Sequence, residues 1–189
     1  VYGFQGGCNL FARNYIHDVG VAGISITSER DTPQWSEFAN TPVHTLVENN
    51  YVHEIFHFLD GHHEAGTIRS FLKNAADTRT LTWRGNYLDI TNTEFVSGGM
   101  FIQPTDEPIY NVWLENNVFS GEGWNLDAHD SSGIKVIRNM HVTNNRFKPG
   151  VLEDYGPVSA TTPGIVEWTN NHVYDAGQPD YAGTIVPAP

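Results

Sequence analysis

Only one cysteine, Cys8, stands among the 189 residues of the chain. No internal disulfide can form, so a core must hold the fold. That alone does not fix the compartment, because a long core serves outside cells without disulfides. Basic residues are also scarce: 10 Lys and Arg stand against 22 Asp and Glu, for a formal net charge of −12. Such a surface repels phosphate backbones and anionic lipid, which argues against nucleic acid and membrane surfaces as partners. Neutral and cationic partners remain open. A large anionic polymer would need a local basic patch that the sequence does not show. No run of about 18 apolar residues occurs, so no transmembrane helix is expected. The opening "VYGFQGGCNLFARN" has neither a charged n-region nor an apolar h-region, so no signal peptide is read. So abrupt a start points to a fragment or a processed product.

What the chain does have is a repeat. Hydrophobic residues make up 39%, with 18 Gly and 10 Pro, which suits one loop-rich globular domain over 1–189. Six segments align on an asparagine: "NLFARNYIHD", "TLVENNYVHE", "LTWRGNYLDI", "VWLENNVFSG", "MHVTNNRFKP" and "VEWTNNHVYD". The aligned residues are Asn14, Asn50, Asn86, Asn117, Asn145 and Asn171, at spacings of 36, 36, 31, 28 and 26. Repeats in this range signal stacked architectures.

Positions around that Asn alternate. Three places before it stand Phe11, Val47, Trp83, Leu114, Val142 and Trp168; two places after it stand Ile16, Val52, Leu88, Phe119, Phe147 and Val173. Leu81, Val112, Met140 and Val166, five places before, continue the inward set. Glu48, Arg84, Glu115, Thr143 and Thr169 fall between them and are polar. Period-two alternation means strands with one buried face. The residue just before the Asn is Arg13, Asn49, Gly85, Asn116, Asn144 or Asn170. Asn and Gly reach left-handed backbone cheaply, so a tight bend is expected there. Stacked copies would join their Asn side chains into a ladder of amide hydrogen bonds.

Each turn then needs a third strand. Candidates are 22–27, 97–103, 123–129 and 156–160; in the second turn "GHHEAG" and "AGTIRSF" compete. Three strands per turn make a parallel β-helix. Six rungs about 4.8 Å apart give a rod on the order of 25–30 Å tall. Such solenoids need capped ends. The tail at 176–189, with "GQPDYAGTIVPAP", would cover the last rung. The N-terminal end shows no cap, which points to an upstream segment or a partner there.

The "NN-x-F" corners and the runs "IHDVG", "NVWLENNVFSG", "VTNNRFKPG" and "WTNNHVYDAGQP" resemble the right-handed parallel β-helix proteins of the pectin-lyase-like superfamily. The nearest likeness is to versions in secreted actinobacterial proteins and in tail proteins of their phages. The resemblance covers nearly the whole chain. It implies an extracellular or virion-tail location, a polysaccharide or cell-surface glycan as partner, and a homotrimer along the rod axis. Members of the superfamily include lyases, hydrolases, epimerases and tailspikes, so the fold does not decide the chemistry.

Two motifs bear on catalysis. "HEIFH" fits the H-E-x-x-H zinc signature with His53, Glu54 and His57, and His63 falls where a third ligand would stand. That mechanism needs a helix, which places both His on one face. Here His53 shares a column with His17, Asp89, Ser120 and Lys148. A strand would hold His53 and His57 about 13 Å apart, too far for one ion. A looser site on His57, His62 and His63 is the alternative. Beyond such a divalent cation, no cofactor is called for.

The other candidates are "LDGHHEAGTIR" (Asp60, His62, His63, Glu64, Arg69) and "WNLDAHDSSG" (Trp124, Asp127, His129, Asp130). Both fall near the third strand, whose outer face carries active grooves in many members of the superfamily. Glu64 and Asp127, two rungs apart on one face, would stand about 10 Å apart, near the upper range for an inverting carboxylate pair. A lyase would want Lys or Arg plus a cation site, and only Arg69 and Lys73 are near. Sugar rings stack on aromatics, which singles out Trp35 in the long insertion 28–42, Trp113 and Trp124. Tyr15, Tyr51 and Tyr87 should form a stacked ribbon.

Three functions follow. The first is glycan recognition, with Trp35, Trp124, Trp113, Arg69 and His62 as contacts. The second is polysaccharide cleavage by Asp60, Glu64 and Asp127 with His62, His63 or His129. The third is zinc proteolysis.

Overall fold

The structure is a computed structural model. It describes residues 2–3, 9–20, 22–27, 44–56, 64–70, 80–90, 98–105, 108–121, 123–131, 135–148 and 158–174. Among these residues there is no helix, and every strand pairing is parallel. The chain winds as a parallel β-helix.

Three long sheets run along the coil. The first holds Asn9–Ala12, His44–Glu48, Thr80–Arg84, Ile109–Glu115, Ile137–Thr143 and Ile165–Thr169. The second holds Tyr15–Ile16, Tyr51–Val52, Tyr87–Asp89, Val118–Ser120, Arg146–Phe147 and His172–Val173. The third holds Tyr2–Gly3, Ala22–Thr27, Glu64–Ser70, Gly98–Ile102, Leu126–Ala128 and Val158–Ala160. In each sheet a strand pairs with its counterpart one turn away. In the second turn the third strand is Glu64–Ser70, so "AGTIRSF" supplies it; Gly66 stands level with Ile24 and Met100.

The bend between the first two sheets follows from local backbone chemistry. Arg13, Asn49, Gly85, Asn116, Asn144 and Asn170 all have φ between 54° and 65°. That left-handed conformation turns the chain through the corner and places the next residue inside. There the Nδ2 of Asn14 donates to Asn50 Oδ1 at 2.8 Å, and the chain of amides continues through Asn86, Asn117 and Asn145 to Asn171. The second Nδ2 hydrogen goes to a backbone carbonyl one turn back, as from Asn117 to Trp83 O at 2.9 Å. From Asn50 to Asn171 each Oδ1 also accepts a backbone N–H, as from Asn86 N to Asn117 Oδ1 at 3.0 Å. A buried amide with all four valences met avoids the penalty of roughly 1–3 kcal/mol per orphaned group.

The core fills the coil with the alternating inward residues. Val47, Trp83, Leu114 and Val142 are buried in one column, and Val52, Leu88, Phe119 and Phe147 in another. Phe119 and Phe147 stack with centroids 5.3 Å apart, and Trp168 continues the stack at 6.1 Å. Gly66 makes room for this core: a Cβ there would come within 3.0 Å of the Trp83 ring and 2.8 Å of Met100 Sδ.

One inward expectation fails. Val166 is 60% exposed, because the register slips between Met140 and His141 and Ile165 takes the place opposite Met140. The extra residue is a bulge, and Val166 turns outward.

Candidate functional site

The outer faces of the three sheets offer different chemistry. On the second sheet, the residue that follows each ladder asparagine points to solvent. Tyr15, Tyr51 and Tyr87 stand in register, 62%, 38% and 37% exposed. Their ring centroids are 5.4 Å and 5.1 Å apart, tilted in the first pair and edge-on in the second. His17 and His53, in the next outward column, pack beside them at 4.7–4.9 Å. The ribbon foreseen from the sequence is therefore an open aromatic surface three rungs long. Burial raises the Tyr51 hydroxyl above its ordinary pKa, helped by Asp89.

On the first sheet, Leu10, Leu46, Thr82, Trp113, His141 and Glu167 form one outward column. Trp113 faces outward as its phase requires, but one face of its indole lies on His141, 4.7 Å away and within 5° of parallel. His141 is held in turn by Glu167 Oε2 at 2.7 Å and Asn139 Oδ1 at 3.1 Å. The sequence reading missed this chain of contacts. Its signal is the paired bend residues Asn111 and Asn139, six places before their ladder asparagines and both at positive φ.

The third sheet carries the polar candidates. Ser25, Thr67, Phe101, Asp127 and Ser159 share its outward column. Arg69 lies over the Phe101 ring at 5.7 Å. Asp127 contacts His129 Nε2, and Ser159 Oγ approaches the same nitrogen at 3.1 Å. His129 Nδ1 faces Thr161 Oγ1 at 2.6 Å. Serine, histidine and aspartate thus meet, but not as a nucleophilic triad. A triad needs the carboxylate on one ring nitrogen and the serine on the other, so that one orients while the other takes the proton. Here both compete for Nε2. Asp130 is a structural carboxylate: it accepts from Ile137 N at 2.8 Å and Thr162 Oγ1 at 2.6 Å, and pairs with Arg138 at 3.2 Å. Trp124 is half-buried at the start of this region.

Two expectations need correction. Glu64 and Asp127 do not share an open face. Glu64 begins its strand 2% exposed, whereas Asp127 is level with Thr67, an odd three places further on. Alternation puts residues an odd number apart on opposite faces. Burial pushes the Glu64 carboxyl up to about 7, with Asp127 adding to the rise and Arg69 opposing it. The zinc-protease reading also fails its structural condition. His53 and Glu54 form a corner, with Glu54 at φ 52°, and Ile55–Phe56 is a strand. Among the described residues of the motif, 53–56, there is no helix. Asp60, His62, His63, His57 and Trp35 lie outside the described residues, as do the insertion at 28–42 and the tail at 176–189.

Comparison of the chain with protein-family models, with curated proteins and with solved structures finds no match.

Proposed function

We propose that this parallel β-helix is a glycan-recognising module of the pectin-lyase-like kind, displayed on a secreted cell-surface protein or a virion tail. The observation that supports this reading best is the exposed ribbon of Tyr15, Tyr51 and Tyr87. Sugar rings present flat C–H faces, and tyrosine rings set one rung apart offer apolar edges and faces for them with hydroxyls at their rims. The excess of acidic residues favours neutral or amino-sugar polymers over anionic ones. Trp113, fixed against His141, offers a further edge on the neighbouring sheet.

The test is binding to an array of neutral, cationic and anionic polysaccharides. Wild type should bind members of the first two classes. Tyr51→Ala should lose at least tenfold in affinity, because it removes the middle ring of the ribbon. Binding that survives in Tyr51→Ala and Tyr15→Ala alike would sink the reading.

A second reading, polysaccharide cleavage, draws on the Asp127–His129 pair. Against it stands the depth of Glu64, which keeps the second carboxylate from a chain lying on the outer face. New reducing ends or unsaturated products, lost in Asp127→Asn, would favour cleavage over binding alone.

A further inference from the structure

The first two turns carry a repeat within the repeat. "IHDV" and "VHEI" occupy matched places after Asn14 and Asn50. Ile16 pairs with Val52 on one side of this second corner, and Val19 pairs with Ile55 on the other. His17–Asp18 and His53–Glu54 are therefore pinned one above the other. Asp18 and Glu54 both take left-handed backbone, at φ 55° and 52°, so both corners turn in the same sense.

The consequence is a convergence of donors. One ring nitrogen of His17 and one carboxylate oxygen each from Asp18 and Glu54 lie within 4.8 Å of one another. The His53 ring stacks on His17 at 5.5 Å, and its Nε2 is buried with no hydrogen-bond partner among the described residues. We propose that His17, Asp18 and Glu54 bind one divalent transition-metal ion of the zinc or manganese class.

The donor set selects the metal. Imidazole with carboxylates suits zinc, manganese and their neighbours, whereas calcium and magnesium sites are built from oxygen alone. Metal–ligand bonds of about 2.1 Å set tetrahedral donors roughly 3.4 Å apart, so small side-chain rotations would close the site. A dication would also cancel the repulsion of two carboxylates held this close. Three protein donors leave coordination positions open near the Tyr15 ring, which packs on His17. This site shares Glu54 with the H-E-x-x-H motif but not that motif's helical geometry, and it does not rest on the glycan reading.

Isothermal titration of the tag-free chain with zinc alone tests it. One ion per chain should bind saturably and raise the melting temperature. Asp18→Asn and Glu54→Gln should each weaken binding at least tenfold. Asparagine suits left-handed backbone better than aspartate does, so the Asp18 variant should keep its metal-free melting temperature. A His62→Ala/His63→Ala double variant should bind as wild type does. Absence of saturable binding, equal affinity in the carboxylate variants, or loss only in the His62/His63 variant would each overturn the proposal.

Discussion

Asn50 and Tyr51 are neighbours in sequence, yet the two columns they belong to obey different rules. The asparagine column is buried from the second turn onward and identical in all six turns. The column beside it reads Tyr15, Tyr51, Tyr87, Val118, Arg146 and His172. Burial explains the uniformity. An inward amide must satisfy the turn before it and the turn after it, so only a residue with two donors and two acceptor sites can repeat there. Solvent imposes no such match on the outward column. Three tyrosines in succession are therefore not demanded by the coil, and that is why the proposed recognition rests on the ribbon while the ladder carries the fold.

The comparison breaks most sharply at the middle of the ladder. Asn117→Ala would leave the Asn86 backbone N–H and one Asn86 Nδ2 hydrogen without partners and would take one donor from the Trp83 carbonyl. At roughly 1–3 kcal/mol per orphaned group, with some relief from entering water, the expected loss is about 3–5 kcal/mol. Asn14→Ala lies at the exposed end and removes one donated bond from Asn50 Oδ1, which still accepts Asn14 N. Its cost should be about 1 kcal/mol or less. Urea unfolding of both variants decides the matter, and equal losses would mean that the ladder is not the continuous buried element described.

Glu64 sharpens the contrast from another side, as a buried polar group outside the ladder. Its carboxyl is raised to about 7 chiefly by burial, from an ordinary 4.5. The folded state thus holds its proton over a range where the unfolded state has released it. Stability from this group is full below pH 4.5 and falls as pH rises towards 7. The total loss is on the order of 3 kcal/mol. Repulsion within the acidic chain also grows with pH, so the informative quantity is a difference. Glu64→Gln should match wild type near pH 4 and exceed it progressively up to pH 8. Parallel stability curves for the two proteins would show that Glu64 is not held neutral.

The coil was legible because its signals are local and repeated. Alternation located Val47, Leu114 and Phe119, and the Asn corners set the register. What escaped the sequence depends on breaks in repetition. Val166 was misplaced because one extra residue in the last turn shifts parity, and nothing in "GIVEW" announces a bulge. Glu64 was placed on the outer face because its strand could be read in two registers. The side-chain cluster around His129 needs Ser159 and Thr161 from the next turn, 30 and 32 residues away, and only the final register brings them together. His17, Asp18 and Glu54 were visible as residues, but their convergence required the corner to be pinned on both sides.

The gentlest probe lies at the corner position itself. Five of the six bend residues are Asn or Gly, and the sixth is Arg13, at φ 59°. Left-handed backbone costs an ordinary residue about 1–2 kcal/mol, and Asn recovers part of that through its short polar side chain. The Arg13 side chain is exposed. Its backbone N–H donates to Glu48 O at 3.1 Å, a bond that does not depend on the side chain. Arg13→Asn should therefore stabilise the chain by about 0.5–1 kcal/mol, and Arg13→Gly by less, since glycine also frees the unfolded state. Neither change touches the Tyr15 ring, so glycan affinity should stay within twofold of wild type. Thermal unfolding measured beside the binding assay separates the two columns at their first turn. A stabilised corner with unaltered recognition is the expected result. A loss of binding in Arg13→Asn would show that the corner and the ribbon act as one surface.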